Sequence, residues 1–252
     1  MSKAFFISDV HLGAEDDAKE NRKRKLLAKF FDMVSVDGDK LFILGDFFNF
    51  WFDYRGVVFS VYFDVLCKLR ELSLSGVEIH FFGGNHDWWA SKTGFLGDYL
   101  GMVIHSRAEE VLINGRRFFV GHGDGMVNCD WAYKFLLKPV IRNAVSVCLF
   151  KLFPAQWAMS LARLVSPAEK LYRRSPKEAV LVREYEEFAG KKIKEGFDFV
   201  ILGHLHIPIE KNLFSGKYIN TGDFYRNFTY AVFDGRDAKL MRFEEVRDNE
   251  KQ

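Results

Sequence analysis

Four consecutive apolar residues, Leu41, Phe42, Ile43 and Leu44, followed by Gly45 and a single carboxylate, Asp46, constrain this chain more than any other stretch. The run has no helical period, so it reads as a β-strand buried on both faces, as in the interior of an α/β sheet. Gly45 lets the backbone turn sharply and deliver Asp46 to the strand's C-terminal end, beside the crevice where open α/β sheets bind ligands. No structural need explains a carboxylate there, and Asp46 is read as the bridging ligand of a two-metal site.

The same form recurs along the chain. Residues 4–7 are an apolar strand ending at Ser8, Asp9, Val10 and His11, and residues two apart in extended chain share a face, so Asp9 and His11 can point at one ion. Residues 77–82 end at Gly83, Gly84, Asn85, His86 and Asp87. Asn114-Gly115 between two apolar runs signals a hairpin whose second arm leads into Gly121, His122, Gly123 and Asp124. Residues 199–202 end at Gly203, His204, Leu205 and His206. Leu26, Leu27, Phe30, Phe31 and Val34 predict a covering helix over 20–34, and another is expected over 57–74. A further helix opens at Ser175-Pro176 with Val180, Tyr185, Phe188 and Ile193 on its apolar face, and Asp234-Gly235 marks a second hairpin. One histidine at a strand end is more often structural than functional. Five strand ends in order, carrying imidazole, carboxylate and amide groups without thiolate, favour Mn, Fe or Zn.

Composition limits the classes that remain. With 252 residues, 48% of them hydrophobic, the chain can bury one large core and carry an insertion. Cys67, Cys129 and Cys148 are odd in number and have no C-x-x-C spacing, which argues against a disulfide framework or a zinc knuckle and makes a reducing cytosol the expectation. No signal-peptide pattern opens the sequence, and the longest charge-free run of its apolar middle, residues 152–162, falls short of a membrane span. The net charge of +2 hides an uneven distribution: residues 127–177 hold nine Lys and Arg against two acids, +7, so the remainder carries −5. That segment reads as helical, broken at Pro139, Pro154 and Pro167. An apolar, basic insertion in an acidic scaffold suggests a partner that is both anionic and greasy, including a membrane surface. The expected organisation is a core of residues 1–126 and 176–246, an inserted helical cap over 127–175, and a frayed end at 247–252.

Taken together, D-x-H, G-D, G-N-H-D, G-H-G-D and G-H-x-H resemble the signature of the calcineurin-like metallophosphoesterases over the span from Asp9 to His206. The resemblance implies an α/β fold of two mixed β-sheets packed face to face with helices outside. It implies that Asp9, His11 and His206 hold one divalent ion and Asn85, His122 and His204 the other, with Asp46 between them and Mn²⁺ the leading metal. Within it, His86 stands beside the phosphate, where an imidazolium neutralises charge or protonates a leaving oxygen, with an orienting role alongside Asp87 as the alternative. Asp124 is expected to orient the His122 loop.

Asp130, Tyr133, Arg142 and Ser166, with the aromatic loop over 45–51, are similar to the UDP-2,3-diacylglucosamine diphosphatases of lipid A synthesis, and Lys170 and Arg173 are further candidates for the substrate phosphates. That group cleaves a diacylated sugar nucleotide to UMP and the lipid monophosphate, working from the cytoplasm against the inner membrane face. Its best-known members carry Arg where this chain has His86 and an acid where it has Asn49, which moves this chain toward a sister group. Two alternatives stay open. A phosphodiesterase or phosphatase acting on another lipid-linked or nucleotide substrate would use the same metals. A non-catalytic scaffold of the fold would be expected to lose ligands, and none is lost. No stable nucleic-acid partner is expected, because a nuclease would want a polar, open cleft where Leu149, Phe150 and Phe153 suggest a greasy, covered one.

Overall fold

A computed structural model describes residues 2–127, 143–152, 154, 155, 157 and 177–243. Two mixed sheets lie back to back, and the strand assignments follow the apolar runs. The first sheet takes β1 (Ala4–Ile7), β2 (Lys40–Ile43), β3 (Glu78–Phe82), β4 (Val103–His105), β10 (Thr229–Phe233) and β11 (Ala238–Arg242), in the order β11-β10-β1-β2-β3-β4. The second takes β5 (Glu109–Ile113), β6 (Arg116–Gly121), β7 (Phe199–Leu202), β8 (Pro208–Leu213) and β9 (Gly216–Thr221), in the order β5-β6-β7-β9-β8.

Side-chain alternation explains why the central strands are apolar throughout. Ala4, Phe6, Phe42, Leu44, Phe82 and Phe233 face the second sheet and meet Phe118, Phe199, Ile201 and Ile219. Phe5, Ile7, Leu41, Ile43, Ile79 and Phe81 face the other way, onto α1 (Asp17–Asp37) and α2 (Phe63–Leu74). On the far side, Val200 and Leu202 pack beneath α4 (Lys177–Lys194) through Tyr185, Ala189 and Ile193. A strand covered on both faces has no polar face to show, hence the continuous runs. Rings carry much of the middle layer, with Phe6 on Phe42 at 4.8 Å and Phe118 on Phe199 at 4.7 Å.

Some expectations shift. The first helix starts at Asp17, where the Asp16 side chain accepts from the Lys19 amide, and runs on to Asp37. The second starts at Phe63, after a 3₁₀ turn over Ser60–Tyr62, because residues 57 and 58 stay exposed in the loop that brings Phe59 inward. Val180 is half exposed, so the buried face of α4 is Tyr185, Ala189 and Ile193 without it. Of residues 127–175, where an inserted cap is expected, the described part includes α3 (Ala144–Lys151), N-capped by Asn143. No helix of the described residues is long and apolar enough to cross a membrane.

Parallel pairing positions the site. β1, β2 and β3 run parallel to one another, as do β6, β7 and β9. Their C-terminal loops therefore emerge together at one end of the sandwich, where the two sheets meet.

Candidate metal centre

Those loops hold their chemistry in an unusual backbone form. Among the described residues, eight that are not glycine have φ in the left-handed region, and five of them are Asp9, His11, Asp46, His204 and His206. Each such residue is disfavoured by roughly 1–2 kcal/mol, so the surrounding structure must hold it. Strain gathered on five chemically similar residues marks a functional site. The hydrogen bonds that oppose it are visible: the His11 amide donates to Asp46 O at 3.0 Å, the Asp9 amide to Gly45 O at 3.1 Å, and the Gly203 amide to His122 O at 2.9 Å. Gly84 must be glycine, since a Cβ there would run into the Asp46 carboxylate.

Asp46 is the focus. Its Oδ1 accepts from the His86 amide at 2.9 Å, while Oδ2 faces His122 Nε2 at 3.5 Å, His11 Nε2 at 3.7 Å and His86 Nε2 at 4.0 Å. Asp9 turns Oδ2 to the Ser8 hydroxyl and to the His204 amide at 2.9 Å, leaving Oδ1 facing His206 Nε2 at 3.4 Å. Three groups have ligand atoms mutually within 4.8 Å: Asp9, His11 and His206; His11, Asp46 and His86; and Asp9, Asp46 and His122. Asn85 Oδ1 and His204 Nδ1 stand 3.3 and 3.2 Å from His122 Nε2. A carbonyl can only accept, so His122 Nδ1–H donates to Leu44 O and His86 Nδ1–H to Asn49 O, each at 2.9 Å, and both rings turn Nε2 to the centre.

Electrostatics asks for a cation. Asp9, Asp46 and Asp87 are at most 2% exposed, and buried carboxylates need compensation. Burial opposes the charge on Asp46, yet the imidazoles of His122, His86 and His11 hold its carboxyl well below the usual range. Burial would depress His122, but Asp46, with Asp9 and Asp124 behind it, pushes it up to about 10. Burial takes His11 well below its usual value against the pull of Asp46, and it raises Asp87 to about 7 with Asp46 adding to the effect. Asp9 Oδ1 and both ring nitrogens of His11 are buried with no hydrogen-bond partner among the described residues. Oxygen and imidazole donors, orphaned and converging, fit divalent ions, whose charge would replace the proton drawn onto His122.

The sequence profile of the calcineurin-like phosphoesterases matches residues 2–208. The chain belongs to that family. As a calcineurin-like phosphoesterase it is a metal-dependent hydrolase of phosphoric ester or pyrophosphate bonds. Its likeness to individual relatives continues past the matched residues. A protein of Porphyromonas gingivalis named UDP-2,3-diacylglucosamine hydrolase is 29% identical, covering 97% of this chain and 99% of its own length. One of the same name from Neisseria meningitidis is 27% identical with equal coverage, and one from Histophilus somni is 27% identical over 82% of this chain and 84% of its own. Residues 127–175 thus fall inside the aligned length of the first two.

Every motif residue named from the sequence reaches this centre: Asp9, His11, Asp46, Asn85, His86, His122, His204 and His206. Asp130, Tyr133, Arg142, Ser166, Lys170 and Arg173 lie outside the described residues. Groups not foreseen also reach the centre of the phosphoesterase. Asp223 follows Gly222 after β9 and accepts from the backbone amides of Tyr225, Arg226 and Asn227, and the Asn227 side-chain amide Nδ2 donates to His206 O at 3.2 Å. Tyr225 meets the rings of His11 and His206 edge-on. The sequence signal was weak: Gly222-Asp223 repeats the Gly-Asp pair of Gly45-Asp46, but Asn220 and Thr221 precede it where an apolar run precedes Gly45.

Proposed function

We propose that this phosphoesterase hydrolyses the pyrophosphate of UDP-2,3-diacylglucosamine to UMP and 2,3-diacylglucosamine 1-phosphate, at the cytoplasmic face of a membrane. The observation that carries the reading is an apolar wall that starts one residue from the centre. His86 O accepts from the Trp51 amide, and from there Phe50, Phe52 and Trp89 meet Phe150 of α3 at ring separations of 5.0–6.1 Å. The outer side of α3 leaves Val145 and Leu149 exposed, with Leu152 and Trp157 exposed beyond it, apolar surface able to receive acyl chains or lie against lipid. Full-length likeness to hydrolases of that name supports the same substrate.

Asp9, His11 and His206 would hold one ion and Asn85, His122 and His204 the other, with Asp46 shared and Mn²⁺ the leading candidate. When bound, such a pair supplies Lewis acidity that makes phosphorus electrophilic and water acidic at neutral pH. The chain's own residues do the rest. The Asn49 carbonyl pins His86 so that Nε2 can neutralise or protonate a phosphate oxygen. Asp46 draws the imidazoles of His11, His86 and His122 toward a single point, and the aromatic wall anchors the substrate away from the reacting bond, so that remote binding energy can align it.

The test compares release of UMP from UDP-2,3-diacylglucosamine with cleavage of UDP-glucose and of a small aryl phosphodiester, with Mn²⁺ present. The lipid should be strongly preferred, and Leu149→Asp should weaken that reaction while sparing the aryl substrate. Equal loss on both, or no lipid preference, would leave phosphoester hydrolysis standing and remove the lipid assignment.

A further inference from the structure

His11 differs from its neighbours in the centre. His122 and His86 each have Nδ1 pinned by a backbone carbonyl, the usual way a ligating imidazole is aimed. Neither ring nitrogen of His11 has such a partner among the described residues. Its ring lies parallel to His206 at 5.1 Å and edge-on to His86 at 4.8 Å, contacts that leave its aim to the backbone. That backbone is left-handed, with φ of 46° at His11 and 85° at Gly13.

What holds it comes from α1. Lys23 is 0% exposed, and its Nζ donates to His11 O at 2.9 Å, a carbonyl that also accepts from the Ala14 amide at 3.2 Å. The ammonium is held by Glu20 Oε2 at 2.9 Å and Glu15 Oε2 at 3.5 Å. Glu20 returns to the same turn, its Oε1 accepting from the Gly13 amide at 2.8 Å. Lys23 and Glu20 thus grip both ends of the turn that carries His11. Burying a lysine wholly is costly unless its charge is paired and its protons are used, and here one proton is spent on a ligand's backbone.

Resting on the metal reading above, we infer that Lys23 is a positioning residue for the centre: through His11 O, with Glu20 on Gly13, it holds the left-handed turn that aims His11 at a divalent ion. Its removal should act on metal affinity rather than on stability alone.

The experiment is a calorimetric Mn²⁺ titration of chelator-stripped full-length protein, with thermal melting alongside, for wild type, Lys23→Met and Lys217→Met. Lys217 is the matched control. It is buried and paired with Asp237 and Glu210, and it donates to Ala238 O at 2.7 Å, touching no site residue. Lys23→Met should bind one Mn²⁺ about 10–100-fold more weakly, the range for losing a group that orients a ligand, with turnover recovering at high Mn²⁺. Lys217→Met should melt earlier and keep the wild-type Kd. Lys23→Gln, which retains a donor for His11 O, should recover part of the affinity. A Lys23→Met protein that binds Mn²⁺ like wild type would overturn the assignment and reduce Lys23 to a tether of α1. Should Lys23→Met not fold, the comparison moves to Glu20→Gln, expected to bind more weakly by a smaller factor, and wild-type affinity there overturns the assignment equally. Wild-type protein that takes up neither Mn²⁺, Zn²⁺ nor Fe²⁺ would overturn the metal reading itself, and Lys23 with it.

Discussion

Asp87→Asn changes one atom and tests how the two halves of the centre are joined. The Asp87 carboxylate accepts four backbone amides: Oδ1 takes Asp46 N at 3.1 Å and Gly84 N at 2.8 Å, and Oδ2 takes Phe47 N at 2.8 Å and Phe48 N at 3.1 Å. It ties the loop after β2 to the loop after β3. An asparagine, whichever way it turns, sets an NH₂ against two of those amides. Each stranded buried N–H costs about 1–3 kcal/mol, so the loss is about 2–6 kcal/mol. Part is recovered because a buried charge beside Asp46 disappears, the same burial and repulsion that hold Asp87 near pKa 7. A net loss of about 1–4 kcal/mol follows. At roughly 2–4 °C per kcal/mol for a chain of this size, the melting temperature falls measurably. Activity should fall further than stability, because Asp46 would shift against Asn85 and His86, and a misplacement of about 1 Å can cost on the order of 10²-fold. The assay is Mn²⁺-dependent aryl phosphodiester cleavage beside a circular-dichroism melt. A variant that melts lower yet turns over like wild type would refute the coupling of the two loops to the chemistry; unchanged melting would refute the hydrogen-bond count.

His86→Ala should lower kcat by about 10²–10⁴ while leaving Mn²⁺ stoichiometry unchanged, the cost of losing a charge stabiliser or proton donor. Because His86 shares a ligand-distance group with His11 and Asp46, loss of an ion in that variant would make it a ligand instead. Away from the centre, His80 stacks on Phe42 at 4.4 Å and burial, against the pull of Glu78, lowers it to about 4. Its folded value lies below the unfolded one, so the unfolded chain binds the extra proton. The stability it contributes is full above about pH 6.5 and is lost as pH falls toward 4, on the order of 2 kcal/mol after discounting for solvent screening. Urea midpoints at pH 7.5 and 5 should show that loss in wild type and less of it in His80→Phe, and equal slopes would refute it.

Where one chain segment carries both burial and chemistry, the sequence could be read directly. β1, β2, β3 and β7 are apolar on both faces and end in ligand-type residues, and Asn114-Gly115 formed the expected turn, with φ of 50° and 77°. The β8–β9 hairpin was not legible. β8 is an edge strand whose residues are mostly exposed, so it has no apolar alternation, and its turn puts Phe214 at φ 52°, a residue that signals no turn. β4 is three residues long, too short for a pattern. At the centre the motifs named the residues that converge, but not what aims them. Lys23 sits in a charged stretch of α1 that reads as a solvated face, and only the folded turn reveals that its charge points inward. The carbonyls of Leu44 and Asn49 that fix two imidazoles belong to the backbone and leave no trace in residue type.

β1 lies inside its sheet, paired on one side with β2 and on the other with β10. On the ribosome those partners appear at very different times. β2 follows within tens of residues, but β10 begins at Thr229, about 220 residues after β1 ends, a wait of roughly 10–45 s at 5–20 residues per second. For that interval one backbone edge of a fully apolar strand, the strand that delivers Asp9, has no neighbour. An open edge of that kind invites pairing with another chain. A chain cut short before residue 229 would keep that edge open for good, so the intermediate that normally passes in seconds would become a sticky end product.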